Sequence, residues 1–197
     1  MYPAFEIPEG EFDGYIFDND GTLVLSMDLH YAAWVDAYAR SGATFEFTRD
    51  LAQAMAGKDM VETVEEVNRL FGQRLDPMRV VADQESYYFT HLHLVQRNEP
   101  LIRFAEETAL RRPVAVASGG RRHIVERTLG AARLGTLFRH VVTMDDVKRG
   151  KPAPDLFLVA AERMGVEPRR CLVFEDGVLG MEAAAAAGME AVLLRYG

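Results

Sequence analysis

The sequence contains one cysteine, Cys171, among its 197 residues. A single cysteine cannot form a disulfide within the chain, so the small secreted domains that depend on disulfides are excluded. Cys171 lies in an apolar run that is typical of a strand. We interpret it as a small core residue of a protein in a reducing compartment.

Long apolar runs are also absent. No segment approaches the roughly 20 apolar residues that a helix needs to span a bilayer, and no signal-peptide pattern is present. We therefore expect a cytoplasmic protein that has no membrane partner. These patterns leave its oligomeric state open, and a monomer or a weak dimer is the expectation.

Basic charge is scarce, since 22 lysines and arginines stand against 30 aspartates and glutamates and leave a formal net charge of −8. A general nucleic-acid-binding protein usually has a basic face, so we expect no nucleic-acid partner. A small anionic substrate is compatible with this charge, because a metal ion and a few cations in a cleft can override the overall field.

The segment from residue 28 to residue 95 has apolar residues at helical spacing and no convincing strand pattern. Glycines and N-cap residues divide this segment into four predicted helices, over residues 28–42, 48–57, 59–70 and 76–95. The segment is therefore predicted to be an all-helical module.

After residue 100, helices alternate with strands. Together with a first strand at residues 15–17, strands are predicted at 113–118, 140–144, 171–175 and 191–194, and helices at 101–111, 121–134, 154–164 and 178–187. This alternation is typical of a parallel sheet with right-handed crossovers. The predicted fold class is α/β: a Rossmann-like, doubly wound parallel-sheet core of residues 1–26 and 96–197, with an all-helical cap domain of residues 27–95 inserted.

Two aspartates, Asp18 and Asp20, follow the first strand directly. Ligands of wound parallel sheets bind beyond the carboxyl ends of the strands, so this is a candidate site. Two neighbouring carboxylates disfavour each other's ionisation, and an oxygen-coordinated Mg²⁺ ion would relieve that repulsion. The alternative is an Asx-type turn in which both aspartates only cap the strand exit.

Polar residues follow the later strands as well. Ser118 and Gly119 can cradle a phosphate with a hydroxyl and backbone amides, or they can form an ordinary capped turn. Lys151, in a loop rich in proline, can hold a phosphate, or it can be a solvated loop residue. Glu175 and Asp176 end a strand with adjacent carboxylates, which is a metal-ligand pattern or a helix cap. Their occurrence at successive strand ends favours a single site.

These segments resemble the motifs of the haloacid dehalogenase superfamily, and the resemblance covers nearly the whole chain. The motifs are residues 17–23 (FDNDGTL), 117–119 (ASG), 151–155 (KPAPD) and 174–177 (FEDG). The chain is most similar to the β-phosphoglucomutase-like branch, which has a helical cap after the first strand. Within that branch it resembles bacterial phosphatases that act on fructose 1-phosphate and 6-phosphogluconate.

The resemblance implies that Asp18 is a nucleophile that accepts the phosphoryl group as an aspartyl-phosphate. It implies that Asp20 protonates the leaving alkoxide and then activates water. Asp18, the backbone carbonyl of Asp20, and Asp176 are the implied Mg²⁺ ligands, and Glu175 is a ligand directly or through water.

The resemblance also implies that Ser118, Gly119 and Lys151 hold the transferring phosphoryl group. In the cap, His30 matches a substrate-binding position near the hinge. Trp34 matches a neighbouring position, although packing in the core of the cap is the favoured interpretation for it.

The function predicted from the resemblance is a Mg²⁺-dependent phosphatase of small sugar phosphates or related phosphorylated metabolites. The first alternative is a β-phosphoglucomutase, which the sequence disfavours because Met60 stands where the mutase has an arginine for the second phosphate and Lys58 is displaced from that position. The second alternative is a catalytically silent module that uses this fold to bind a partner.

Overall fold

The structure, a computed structural model, describes residues 5–194 of the chain. Its contacts divide the chain into two compact units, one of Met1–Leu25 with Gln96–Gly197 and one of Ser26–Val95. The assignment of the first unit as a catalytic core and of the second as a cap stays a prediction. Among the described residues, no helix has the length and apolar character that a membrane crossing requires.

The first unit contains a five-stranded sheet made of β1 (Gly14–Phe17), β4 (Val114–Ala117), β5 (His140–Val142), β6 (Cys171–Glu175) and β7 (Glu190–Leu193). The strands lie in the order β5-β4-β1-β6-β7, and every pair of neighbouring strands is parallel. The inner strands β4 and β6, which flank the central strand β1, are buried along their whole length, as expected of continuous apolar runs covered on both faces. The predicted α/β parallel-sheet fold is confirmed.

Four helices connect the strands of this unit: α5 (Glu99–Ala109), α6 (Arg122–Ala131), α7 (Asp155–Met164) and α8 (Val178–Ala186). Strands β1, β4 and β6 pack against α7 and α8 through a cluster of small and branched side chains that includes the predicted core residue Cys171. The buried residues of α8 are all small: Gly180, Ala183 and Ala184.

A second, two-stranded sheet was not predicted. It pairs β2 (Val24–Leu25) with β3 (Gln96–Arg97) in antiparallel register. Two-residue strands are too short to produce a recognisable period, and the pairing joins segments about 70 positions apart. The ribbon they form is the place where the chain leaves the first unit and returns to it.

The second unit consists of α1 (Met27–Arg40), α2 (Arg49–Met55), α3 (Met60–Phe71) and α4 (Pro77–His91), followed by a 3₁₀ turn at Leu92–Leu94. Side chains of Thr48, Asp59 and Asp76 accept backbone N–H bonds at the starts of α2, α3 and α4. Gly72 ends α3 in the left-handed conformation, with φ of 61°. Helices make up the unit, as the sequence predicts, although α4 ends four residues before the predicted boundary.

The core of the second unit is rich in aromatic residues. Tyr38 and Phe47 are buried, and the ring of Trp34 stacks on Tyr38 with centroids 5.5 Å apart. This packing agrees with the favoured interpretation of Trp34 as a residue of the cap core.

One strand boundary differs from the prediction for a clear reason. Strand β5 ends at Val142 instead of residue 144 because Thr143 caps a 3₁₀ turn over Met144–Asp146. The Thr143 hydroxyl and the Asp146 carboxylate form a reciprocal capping box, which diverts the chain from the sheet.

Candidate active site

The candidate residues meet at one edge of the sheet because strands β1, β4 and β6 are parallel and end together. The Asp18 N–H donates to the Phe174 carbonyl at 3.0 Å, which continues the β1–β6 pairing by one step. The Ser118 N–H likewise donates to the Val142 carbonyl at 3.0 Å. Sheet hydrogen bonds therefore fix the first residues beyond the strands.

Three carboxylates form a cluster at this edge. Asp18, Glu175 and Asp176 each offer an oxygen, and these oxygens all lie within 4.8 Å of one another. Asp18 is 7% exposed and Glu175 is 3% exposed. Within residues 5–194, no other group of three or more histidine, cysteine or acidic side chains could hold a metal ion.

Lys151 lies inside this acidic cluster. Its Nζ atom donates to Oδ1 of Asp18 at 2.6 Å and also to Oε1 of Glu175, and its side chain is 10% exposed. Burial alone would lower the pKa of Lys151, but the negative charges of Asp18 and Glu175 outweigh that effect and raise it. The alternative of a solvated loop lysine is therefore wrong.

Two carboxylates of the cluster, those of Asp18 and Asp176, are held in an environment that resists their ionisation. Burial, together with the charges of Glu175 and Asp176, raises the pKa of Asp18 well above its ordinary value, while Lys151 opposes the shift. Burial and the charge of Glu175 raise the pKa of Asp176 to about 6. A hard divalent cation among these oxygens would offset the repulsion, so the donor set fits such an ion.

Glu175 uses both of its oxygens within the protein. Oε1 accepts from Lys151, and Oε2 accepts the backbone N–H groups of Asp176 at 2.9 Å and Gly177 at 2.8 Å. Gly180 in α8 faces this carboxylate so closely that a Cβ atom there would overlap it. Glu175 is thus held in place from three sides and in turn orients Lys151.

The loop after β1 brings its backbone against Asp176. Gly21 has φ of 84°, and a Cβ atom at this position would overlap the Asp176 carboxylate, so two separate constraints require glycine. The Thr22 hydroxyl donates to Oδ1 of Asp176 at 3.3 Å. Asp20 is half-buried and lies outside the carboxylate cluster; its Oδ2 atom accepts the Asn19 side-chain amide at 3.0 Å.

Ser118 is buried, and its Oγ atom accepts the Gly120 N–H at 3.1 Å. This bond is the capped turn that was considered as the alternative for this segment. It leaves the hydroxyl proton of Ser118 and the N–H of Gly119 without an acceptor among the described residues. A Cβ atom at Gly119 would meet no atom within 4 Å, so a ligand oxygen can approach this backbone.

His30 lies in the helical unit, in the first turn of α1. Its ring stacks on the ring of Tyr88, with centroids 4.1 Å apart and planes inclined by 16°. This stacking fixes the plane of the imidazole. The predicted contact of His30 with a substrate stays a prediction.

The sequence of the chain matches the family of haloacid dehalogenase-like hydrolases over residues 12–188. The chain belongs to this family. In this hydrolase, three separate segments of the chain bring the acidic cluster and the buried Lys151 to one edge of the sheet.

Among known proteins, the hydrolase is 35% identical to the fructose-1-phosphate phosphatase YqaB of Escherichia coli (strain K12), over 93% of this chain and 97% of the relative. Its fold is similar to CbbY of Rhodobacter sphaeroides solved with phosphate, with a TM-score of 0.78, 23% identity, and coverage of 91% of this chain and 84% of that one. It is also similar to β-phosphoglucomutase of Clostridium difficile, with a TM-score of 0.79, 18% identity, and coverage of 91% and 83%. The hydrolase is a phosphoric monoester hydrolase.

Sequence reasoning missed Asp146, which fastens the segment after β5 in this hydrolase. Its carboxylate accepts from the guanidinium groups of Arg122 at 2.5 Å and Arg163 at 2.7 Å, and from the Thr143 N–H at 2.8 Å. The neighbouring Asp145 accepts the backbone N–H of Arg122 at 2.7 Å, at the start of α6. The sequence pattern that could have pointed to Asp146 is this pair of adjacent aspartates after a strand.

Proposed function

We propose that this chain is a Mg²⁺-dependent phosphatase of small sugar phosphates or related phosphorylated metabolites, and that it acts through an aspartyl-phosphate on Asp18. The observation that carries the proposal is the buried Asp18 carboxylate, which lies 2.6 Å from the Lys151 ammonium and within the cluster formed with Glu175 and Asp176. The activity of the Escherichia coli relative supports a phosphorylated sugar as substrate.

Asp18, Asp176 and the backbone carbonyl of Asp20 are the proposed Mg²⁺ ligands, with Glu175 as a ligand directly or through water. The hydrogen bonds of Glu175 to Lys151 and to two backbone N–H groups favour the indirect contact. When bound, Mg²⁺ supplies positive charge to the oxygens of the transferring phosphoryl group.

In the first proposed step, a carboxylate oxygen of Asp18 attacks phosphorus, and the bond from phosphorus to the ester oxygen breaks. Asp20 gives a proton to the departing alkoxide. In the second step, Asp20 takes a proton from water while that water attacks phosphorus, and the bond to Asp18 breaks and releases inorganic phosphate. Such acid–base catalysis is typically worth about 10²–10⁴-fold in rate.

Lys151, the Ser118 hydroxyl and the Gly119 N–H are proposed to hold the phosphoryl oxygens. The two donors of the loop after β4 lack acceptors among the described residues, which suits them to an incoming oxyanion. Lys151 has a second proposed role. Its charge opposes the rise in the pKa of Asp18 that burial causes, which favours the ionised, nucleophilic carboxylate.

The mutase alternative has less support. Met60 is the first residue of α3 and carries no charge, while the nearby Lys58 is paired with Glu66 at 3.9 Å. Phosphatase relatives also favour catalysis over a silent binding module.

We further propose a cytoplasmic location, which the single buried cysteine suits. A monomeric or weakly dimeric state stays a prediction.

The test is phosphate release from a panel of sugar phosphates, with and without EDTA. We expect turnover of at least one substrate, loss of turnover on chelation, and recovery with added Mg²⁺. Asp18→Asn should abolish turnover, whereas Asp28→Asn, at an exposed position of α1, should not. Retained turnover in Asp18→Asn would refute the nucleophile. Formation of glucose 6-phosphate from β-glucose 1-phosphate would instead favour the mutase.

A further inference from the structure

Asn98 stands at the N-cap of α5 and has no exposed surface. Asparagine is favoured at this position because its side-chain oxygen can accept a backbone N–H of the first helical turn. Here the side chain makes no such bond. The residue is therefore not explained by helix capping.

The side chain of Asn98 is used elsewhere. Its Nδ2 atom donates to the backbone carbonyl of Thr22 at 2.9 Å, across 76 positions of the sequence. The backbone N–H of Asn98 donates to the carbonyl of Leu23 at 2.9 Å. Asn98 thus donates hydrogen bonds to the carbonyls of two successive residues in the loop that follows β1.

That loop in turn holds an acidic residue of the candidate site. The Thr22 hydroxyl donates to Oδ1 of Asp176 at 3.3 Å. Two hydrogen bonds therefore connect Asn98 to Asp176 through a single intervening residue, and both Asn98 and Thr22 are completely buried.

The amide oxygen of Asn98 is buried and has no hydrogen-bond partner among the described residues. A buried polar atom without a partner is unfavourable, and an apolar side chain would remove it. What an apolar side chain could not supply is the N–H donor to Thr22. The chain tolerates the unpaired oxygen, which indicates that this donor is the reason for an asparagine at position 98.

We propose that Asn98 is a positioning residue for the metal-binding face of the acidic cluster, acting on Asp176 through Thr22. This role rests on the proposed Mg²⁺ site. Partners one step removed from a metal ligand typically change metal affinity by about 10–100-fold when they are removed. We expect an effect near the lower end of that range, since Asn98 is one step further away.

The decisive variant is Asn98→Ser, because serine keeps a side chain that can cap α5 but is too short to replace the amide donor. Calorimetric titration of the metal-free protein with Mg²⁺ should give an affinity about tenfold weaker than that of the wild type. The melting temperature of the metal-free protein should fall, because the buried Thr22 carbonyl loses its donor, so the titration is carried out well below the melting temperatures of both proteins. An unchanged Mg²⁺ affinity would overturn the proposal.

Thr22→Val removes the hydroxyl that bonds Asp176 while it nearly keeps the side-chain volume. If Asn98 acts through Thr22, the double variant should bind Mg²⁺ no more weakly than Thr22→Val alone. Additive losses of affinity would show that Asn98 acts by another route and would overturn the proposal. This comparison also holds if one single variant loses some stability.

Hydrogen exchange in the metal-free protein separates this proposal from the proposed function. In the wild type, the Gly21 N–H donates to the Val24 carbonyl at 2.8 Å, and Asn98→Ser should speed its exchange. A wild type that binds no Mg²⁺ would refute the metal site, and the exchange rates would then decide the role of Asn98 in holding the loop. Unchanged exchange would overturn that role.

Discussion

The Nζ atom of Lys151 lies 2.6 Å from Oδ1 of Asp18, although the two residues are 133 positions apart in the sequence. Both side chains are only 10% exposed. The same ammonium group donates to Glu175, whose other oxygen is held by backbone N–H groups. A phosphoryl group that formed on Asp18 would therefore lie beside a cation already fixed in position.

Replacing Lys151 with methionine should remove the cation and keep most of the side-chain length. We expect kcat for phosphate release to fall by about 10²–10³-fold. We also expect the free energy of unfolding of the metal-free protein to fall by about 3–5 kcal/mol, because the buried carboxylates lose their counter-charge. Steady-state kinetics and urea unfolding measure the two effects.

The matched control is Lys148→Met, at an exposed position of the same loop. It should leave both quantities nearly unchanged, since an exposed lysine contributes little to stability. Equal losses in the two variants would mean that the loop, and not the buried charge, is responsible.

Replacing Gly180 with alanine should push the Glu175 carboxylate away from Lys151, because the new Cβ atom would overlap it. We expect a loss of about 1–3 kcal/mol in the free energy of unfolding and a clear fall in kcat. The control is Gly130→Ala in α6, where a Cβ atom meets nothing within 4 Å. That variant should be neutral or more stable by about 0.5–1 kcal/mol. Full activity in Gly180→Ala would contradict the role given to Glu175.

Asp146 should stabilise the fold in a pH-dependent way. Burial acts to raise the pKa of Asp146, but its bonds to Arg163 and Thr143 and the charge of Arg122 outweigh that and lower it below its ordinary value of 3.8. The folded state thus binds the proton less tightly than the unfolded state does. The stabilisation is therefore present above pH 3.8 and is lost as the pH falls through the lowered value.

Asp146→Asn should accordingly reduce the free energy of unfolding by about 1.5–3 kcal/mol at pH 7. The difference from the wild type should narrow below pH 3.8. Urea unfolding at a series of pH values measures it, with Asp83→Asn, in a loose surface pair at 3.9 Å, as the control. If the wild type and Asp146→Asn differ in their free energies of unfolding by the same amount down to the lowest pH measured, the account is contradicted.

Cys171 should be unreactive in the folded protein. Burial, together with the nearby charge of Asp13, raises the pKa of its thiol to about 11. At pH 8 very little thiolate is present, so iodoacetamide should modify the thiol far more slowly in the folded protein than in guanidinium chloride. Mass spectrometry of the intact chain follows the reaction. Rapid alkylation of the folded protein would show that the Cys171 thiol is accessible to the reagent, which would contradict its burial in the sheet.

The sheet and the meeting of Asp18 with Asp176 were predictable from the sequence. Apolar runs and turn residues mark the strands, and the rule that parallel strands end at one edge brings residues that follow different strands together. No contact information is needed for either step. The helices of the inserted unit were also predictable, because their N-cap residues act within the first turn of each helix.

Other features depend on contacts that are distant in the sequence. The loop of Lys151 is rich in proline and basic residues, and nothing in its pattern distinguishes a buried lysine from a solvated one. Asn98 stands at a helix start, where its type predicts capping, but its contact with Thr22 prevails. The two-residue strands of the β2–β3 ribbon carry too little pattern to be recognised at all.

The central claim is that Asp18 takes up the phosphoryl group, and the direct measurement is mass spectrometry of the enzyme quenched with acid during turnover. Asp20→Asn should slow hydrolysis of the intermediate and let it accumulate. We predict that the peptide containing Asp18 gains the mass of one phosphoryl group when substrate and Mg²⁺ are both present, and that Asp18→Asn gains none. Turnover of substrate with no phosphorylated Asp18 at any time point, or turnover by Asp18→Asn, would contradict the account.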